Sequence, residues 1–295
     1  MHARYSRIVI AGLLLVTGGC ISSRKTFSLG DGKVGHEIAG LAESPSYIIS
    51  WNIHKASDER FVREVGDLLA DVPSDERVIL CLQEARSSTY EIIKGEHNER
   101  LSGHYTPSWH YPFSQRSTGV LTIGNGVNFH STAEQIHSKH REFYFVSPKV
   151  SLRSEIDLGD GHKLQVINCH GLNFVPAAFF DSQLEGIFES LKGNKHPAIV
   201  CGDFNVWSPD RLESLRKKAE RVGLYEADNH SPGKLAAPQW LRGLNVINGY
   251  DPDLHLDRFF TRGVKVLDCY SVKDSLSSDH LPVVLRYKLD TKERF

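Results

Sequence analysis

Short apolar runs recur along this chain with a two-residue beat, and between several of them the beat changes to three and four. The strand-like runs fall at Tyr47–Ile53, Val78–Gln83, Gly119–Ile123, Lys163–Cys169, Ala198–Cys201, Leu256–Phe260, Val264–Cys269 and Leu281–Tyr287. Phe61, Val65, Leu68 and Leu69 share one helical face, and Leu184, Ile187, Phe188 and Leu191 share another. A third helix is expected from Ser208-Pro209, an N-cap residue followed by a proline in the first turn. Strands alternating with helices predict a layered α/β domain. Two stretches, 95–118 and 226–255, hold Trp, Tyr, His and Pro without a sustained period and read as irregular rims.

The first residues follow a different logic. Arg4 and Arg7 precede an apolar run from Ile8 to Val16, then Thr17-Gly18-Gly19 and Cys20. A basic start, a short apolar core and a small-residue exit predict an export signal over 1–19. Cys20 at the exit resembles the lipid-modified cysteine of a bacterial lipobox, although Thr17 stands where that pattern usually has Leu; the alternative is a plain secretory signal. On the lipobox reading Cys20 carries the lipid, residues 20–45 tether it to the domain, and a catalytic domain follows over 46–290. The residues after Cys20 lack the Asp of inner-membrane retention, so the periplasmic face of the outer membrane is the expected location. If the lipobox is not used, the protein is periplasmic or secreted.

Composition then narrows the field. Of 295 residues, 40% are apolar and 24% charged, which suits a folded domain. Removing Arg4 and Arg7 leaves 33 basic residues against 36 acidic ones, so no global positive field draws in a polyanion. Five cysteines without a CxxC pair exclude a zinc module. Cys81, Cys169, Cys201 and Cys269 fall in or at the end of apolar runs and read as small buried side chains, with a disulfide between neighbouring strands left open by export.

The chemistry gathers where strands end. Asn52 ends IISWNI, Glu84 ends VILCLQE, Asn168 and His170 end LQVINCH, and Asp203 and Asn205 end AIVCGDFN. Asp257 lies in HLDRFF, and Asp279 and His280 precede the last strand in SSDHLPVV. One such residue alone reads as a turn former. Together, strand ends on one edge of a layered domain can converge on one pocket. Glu84, Asp203, Asp279, Asn52 and Asn205 are hard oxygen donors that suit Mg²⁺ or Mn²⁺. A hard cation beside two imidazoles is what hydrolysis of a phosphate ester needs.

At these residues the chain resembles the endonuclease/exonuclease/phosphatase superfamily of DNase I-like proteins. The motifs WNI, LQE, NCH, GDFN, LDRFF and SDH stand in the family order over 47–287, and WNIHK, STGVLT, HGLNF and GDFNVWS are most similar to a bacterial branch, the YafD-like proteins. The resemblance implies a four-layer α/β sandwich, two packed mixed sheets flanked by helices. It also implies roles. Glu84 is the principal metal ligand with Asn52 beside it and Asp279 completing the metal end. Asp203 aligns or deprotonates water, and Asn205 holds the phosphate. His280 meets the scissile phosphate and is oriented by Asp257. His170 takes the place of a histidine found in DNase and sphingomyelinase branches, whereas abasic-site nucleases carry a Tyr-centred motif there. Asn173 is a substrate contact, and Lys149 adds positive charge to the phosphate pocket unless it is an ordinary solvated lysine. Two departures stand out: His54 replaces an Asp of abasic-site nucleases, and the carboxylate partner of His170 is undetermined between Glu142 and Glu155.

The function expected is that of a Mg²⁺- or Mn²⁺-dependent phosphodiesterase acting on nucleic acid. The aromatic residues His104, Tyr105, Trp109, Tyr111 and Phe113 and the membrane anchor keep a phospholipid or sphingomyelin-type substrate, or a small phosphorylated molecule, as the alternative. A non-catalytic envelope lipoprotein is the alternative of another class. No protein partner is expected.

Overall fold

The computed structural model describes residues 25–30, 44–97, 101–111, 116–125, 127–142, 147–158, 161–231, 255–273 and 275–290. The segment expected to be an export signal and Cys20 lie outside them, as do most of the expected tether, Phe113 and the bulk of 226–255. No described helix is long and apolar enough to cross a membrane.

In chain order the elements are β1 (Phe27–Leu29), β2 (Ser46–Asn52), α1 (Glu59–Ala70), β3 (Arg77–Arg86), α2 (Thr89–His97), β4 (Ser102–His110), β5 (Ser117–Asn125), β6 (Asn128–Glu142), β7 (Ser147–Asp157), β8 (Lys163–His170), α3 (Ala177–Glu189), β9 (Ala198–Asp203), α4 (Pro209–Glu220), β10 (Tyr225–Glu226), β11 (Asp257–Arg262), β12 (Val264–Ser271) and β13 (Val283–Leu289). They form two sheets, ordered β1-β4-β5-β3-β2-β13-β12 and β10-β11-β9-β8-β7-β6. Each sheet is mixed: β2 runs parallel to β3 in the first and β8 parallel to β9 in the second, and the other pairings are antiparallel.

Period-two side-chain alternation explains the layering. In β3, Ile79 and Cys81 face the other sheet, while Val78, Leu80 and Leu82 face α1. In β9, Ile199 and Cys201 face inward, while Ala198 and Val200 meet α3 and α4. Strands buried on both faces read as unbroken apolar runs, and these do. Among the described residues the apolar core falls into two clusters between the sheets, the smaller made by Val120, Val150 and Leu152, and one beneath each pair of helices. The four-layer sandwich expected from the motifs is therefore the fold. α1 and α4 start as their caps dictate: Asp58 and Ser208 each accept the backbone N–H three residues on.

Two expectations change. The 95–118 stretch is not irregular throughout, because residues 102–110 form β4. Its polar side chains are buried and satisfied: His104 Nδ1 bonds Ser154 Oγ at 3.1 Å, Thr106 Oγ1 bonds Thr26 Oγ1 at 2.6 Å and Ser108 donates to Thr118 O at 3.1 Å. A strand whose inner face is hydrogen-bonded instead of apolar leaves little hydropathy signal. Within the segment expected to be a tether, Phe27–Leu29 pairs with β4, so that part is a sheet edge.

Beneath the site the sheets are joined by amides. Asn168 is fully buried; its side-chain oxygen accepts from Gln83 Nε2 at 2.8 Å, and its NH₂ donates to Leu121 O at 3.0 Å and Thr122 Oγ1 at 3.2 Å. This strand-end Asn is a cross-sheet tie. The four described cysteines are free and buried, as small apolar side chains should be.

Candidate active site

The same alternation that fills the inter-sheet core delivers polar groups to one end of it. Asn52 follows Ile48 and Ser50 on the inner face of β2, Asp203 follows Cys201 on β9, and His170 follows Asn168 on β8. Register sets three of these side by side: His170 is paired with Asp203 across β8–β9, and Asp257 with Asp203 across β9–β11. Asn52 reaches across from the other sheet and donates from Nδ2 to Asp203 Oδ2 at 2.9 Å.

Asp203 is the hub. It is 1% exposed. Its Oδ1 accepts the Asn205 backbone N–H at 2.9 Å, and Oδ2 accepts from Asn205 Nδ2 at 3.3 Å. His170 Nε2 stands 3.7 Å and His280 Nε2 3.9 Å from that same oxygen. Burial raises the Asp203 carboxyl to about 6 against the opposing pull of His280. Gly202 makes the close approach possible: its φ is +140°, and a Cβ there would lie 2.0 Å from the Cys169 carbonyl oxygen.

The two imidazoles differ. His280 Nδ1 donates to Asp257 Oδ2 at 2.7 Å. Burial opposes its charge, but Asp257 and Asp203 outweigh burial and raise His280 to about 10. His170 is pressed well below its ordinary value by burial and then by Lys149, whose Nζ lies 2.8 Å from His170 Nε2. With Lys149 as the donor, the unprotonated ring nitrogen is Nε2.

On the other side stands Glu84. Lys55 Nζ bonds Oε2, and Lys149 Nζ lies 3.9 Å from Oε1. Burial works to raise this carboxyl, but Lys149 and Lys55 together hold it at about 2. Lys149 is therefore no ordinary solvated lysine: its side chain is 11% exposed and touches Glu84, Glu142 and His170.

Asp279 is more peripheral. Its carboxylate is 3.6 Å from His54 Nδ1 and 3.5 Å from Ser278 Oγ, while Ser278 Oγ itself donates to Asn52 O at 2.6 Å. Asn173 donates its backbone N–H to Glu142 Oε1 at 2.6 Å, and its side-chain oxygen accepts the Phe174 N–H. Neither proposed carboxylate partner of His170 reaches its ring. Glu155 is tied to Lys163 and Gln165. Glu142 reaches Lys149 and Asn173 instead. The carboxylates nearest the ring are Asp203 and, at 3.9 Å, Glu84.

Some of the site was not foreseen. Lys55 sits in WNIHK directly after the motif residues, a signal that was available. Arg211 gives no local signal, yet its guanidinium donates to Leu172 O, Asn205 O and Val175 O at 2.9–3.1 Å and lies between the Phe180 and Trp207 rings. It ties the loop after His170 to the loop after Asp203. Gln183 acts likewise, donating to His170 O at 2.9 Å and accepting from Leu172 N at 2.7 Å.

Backbone strain concentrates here. Among the described residues, the non-glycine positions with positive φ are His54, Lys55, Glu84, Phe174 and Asn205, all within or beside the motifs. Such conformations cost ~1–3 kcal/mol each and persist where surrounding contacts enforce them.

Among the described residues no group of three or more His, Cys, Asp or Glu side chains is arranged to hold a metal ion. The donor chemistry nevertheless fits one hard cation: Glu84 is kept ionised, and amide and carboxylate oxygens of Asn52 and Asp279 flank the same mouth. Mg²⁺ is commonly held by one or two carboxylates, water and substrate oxygens.

Known proteins share this arrangement of chain. A UPF0294 protein of Vibrio campbellii is 27% identical over 249 residues, covering 82% of this chain and 77% of its own. Among solved structures, D. rerio TDP2 complexed with single-strand DNA product superposes with a TM-score of 0.60 at 16% identity, covering 83% of this chain and all of that one. The human Nocturnin catalytic domain with bound sulfate anion gives 0.58 at 18% identity, covering 90% and 97%. Those likenesses establish the shared fold. The sequence model of the endonuclease/exonuclease/phosphatase family, whose members hydrolyse phosphate esters, matches residues 49–280, the span that carries every motif from Asn52 to His280. With the sandwich and the converging strand ends both in place, this chain belongs to the endonuclease/exonuclease/phosphatase family.

Proposed function

We propose that this protein is a phosphodiesterase dependent on Mg²⁺ or Mn²⁺, with nucleic acid as its substrate. The observation that carries the reading is Asp203: one buried carboxylate, held by Asn52 and Asn205, with an imidazole on each side. Glu84, with Asn52 and Asp279, would hold the cation, which when bound neutralises phosphoryl oxygens and stabilises the leaving oxygen.

The chain's own residues do the rest. Asp203 accepts the proton of the attacking water; a carboxyl raised to about 6 is a better base than an ordinary Asp. His280 is a cation whose Nδ1 is fixed by Asp257, so Nε2–H faces the reacting centre and meets the charge that develops on phosphorus oxygens. Lys149 and His170 line the same pocket and add a second donor. Asn205 is locked by its bond to Gly171 O at 2.9 Å and positions phosphate next to Asp203. Arg211 keeps the two loops in register.

The test is turnover of bis-p-nitrophenyl phosphate by the purified protein with Mg²⁺, with Mn²⁺ and with EDTA, followed by plasmid DNA, RNA and phosphatidylcholine vesicles. Cation-dependent hydrolysis of the small diester and of a nucleic acid is expected. Hydrolysis of the vesicles alone would move the substrate to phospholipid. No turnover under any condition would make the protein a binder.

A further inference from the structure

Next to Glu84 the sheet end opens into a cavity of about 190 Å³. Trp109, Tyr111 and Pro148 line it together with Lys55, Lys149 and Glu84. The local backbone is built to present these rings. The β4–β5 register slips between Pro107 and Trp109, a bulge of the kind that re-aims a side chain. The Tyr111 N–H then bonds Arg116 O at 3.1 Å. Tyr111 is 38% exposed, and among the described residues neither ring stacks on another side chain.

Size and charge select an occupant. Pockets that enclose a whole small ligand run to ~300–1,000 Å³. This one is smaller, so it takes one group of a ligand and not a whole one. Aromatic walls also welcome a quaternary ammonium group, but the lining sets two lysines against the single carboxylate of Glu84, a positive balance that favours an anionic group. A neutral planar ring bonded to an anionic diester satisfies both ends at once: ring on Trp109 and Tyr111, phosphate toward Lys149 and His170.

We propose that this cavity is a stacking subsite for the nucleobase next to the scissile phosphodiester. The proposal rests on the phosphodiesterase reading and makes its substrate a nucleotidyl one. Base–aromatic stacking is tolerant of base identity, so the subsite demands a base without choosing among the four.

The experiment compares single-stranded oligonucleotides that carry a base, or a tetrahydrofuran abasic spacer, on either side of the scissile bond, with Mg²⁺ present. The unsubstituted protein should prefer the base-bearing strand at least tenfold in kcat/KM. In Trp109→Ala that preference should fall to near one, chiefly through KM, and Trp109→Phe should restore it. Dinucleotides as a second arm separate a free nucleotide from a polymer as the source of the base, and phosphatidylcholine vesicles serve as the non-nucleotide arm. Quenching of indole fluorescence by a non-hydrolysable phosphorothioate oligonucleotide, lost in Trp109→Phe, reports binding apart from turnover. Equal cleavage of base-bearing and abasic strands by the unsubstituted protein would overturn the subsite and leave the phosphodiesterase intact. Quenching through Trp109 without turnover of any ester would keep the subsite and overturn the phosphodiesterase. Hydrolysis of vesicles that depends on Trp109 would give the cavity to a lipid headgroup and overturn the proposal.

Discussion

Glu84 and Asp203 are carboxylates at the same mouth of the same sandwich, and their surroundings drive them apart. Glu84 faces two lysines and is held at about 2; Asp203 faces amides and imidazoles in a drier place and rises to about 6. Burial works to raise both, so burial alone does not decide. What decides is the nearest cation: Lys55 and Lys149 touch Glu84, whereas the nearest charged ring to Asp203, His280, shares its charge with Asp257. One carboxylate is thereby fixed as an anion fit to hold a cation, and the other is left basic enough to take a proton. Pairs of titratable groups pushed in opposite directions mark a division of labour.

The largest expected effect tests the basic member. Asp203→Asn keeps the shape of the side chain and one of its two acceptor oxygens, removes the proton acceptor, and leaves either the Asn205 backbone N–H or the two side-chain amides without their partner. Turnover of bis-p-nitrophenyl phosphate should fall ~10³-fold, within the ~10²–10⁴ that general-base catalysis contributes. The calorimetric unfolding temperature should fall by several degrees at most, because no buried volume is lost and only one buried hydrogen-bond position is left unpaired, at ~1–3 kcal/mol. Retention of turnover would take the proton-transfer role away from Asp203 and dissolve the division.

A smaller loss is expected on the other side. Glu84→Gln should cost ~10²-fold at low Mg²⁺ and regain part of the rate as Mg²⁺ or Mn²⁺ is raised, because the cation keeps other oxygen donors. Raising the cation should not rescue Asp203→Asn. Were titration with Mg²⁺ to rescue Asp203→Asn and not Glu84→Gln, the two carboxylates would have exchanged roles.

Much of this was legible in the sequence for one reason: apolar strands end where chemistry begins, so LQE, NCH and GDFN each announce a strand and its terminal ligand together. The helix faces of Phe61–Leu69 and Leu184–Leu191 were legible by the same periodicity. β4 and β6 were not, because a strand whose buried side chains are His104, Thr106 and Ser108 satisfies them by hydrogen bonds, which hydropathy does not register. β6 is largely solvent-facing and polar, so it carries no apolar beat at all. Asn168 stood among the polar strand ends and is a tie between sheets; only its partners on β3 and β5 reveal that. Arg211 escaped notice because its function is to bond three carbonyl oxygens of loops distant in sequence, and carbonyls leave no mark in a residue string.

The smallest expected effect concerns how the His280 side of the site is held. Glu64 on α1 lies more than 200 residues from the loop it secures. It accepts from Ser275 Oγ at 3.0 Å, Leu276 N at 2.9 Å, Ser277 N at 3.2 Å and Ser277 Oγ at 2.5 Å. That loop leads directly into Asp279 and His280. Burial works to raise Glu64, but the bonds from Ser277, Leu276 and Ser275 outweigh it and lower the carboxyl below its ordinary value. A carboxyl lowered by folding stabilises the folded state in full above the unfolded value of ~4.3, and the stabilisation is lost as pH falls through the lower folded value. Glu64→Gln keeps the side-chain length and loses the charge. At pH 7 it should lower the unfolding temperature by about 2–4 °C, the shift that ~1 kcal/mol produces in a chain of this size, and reduce kcat/KM only a few-fold because His280 keeps its bond to Asp257. Below about pH 4 the two unfolding temperatures should converge as the native carboxyl protonates. A gap that persists unchanged into acid would show that shape, and not the charge on Glu64, secures the loop, and the His280 side would then owe its order to Asp257 and Ser278 alone.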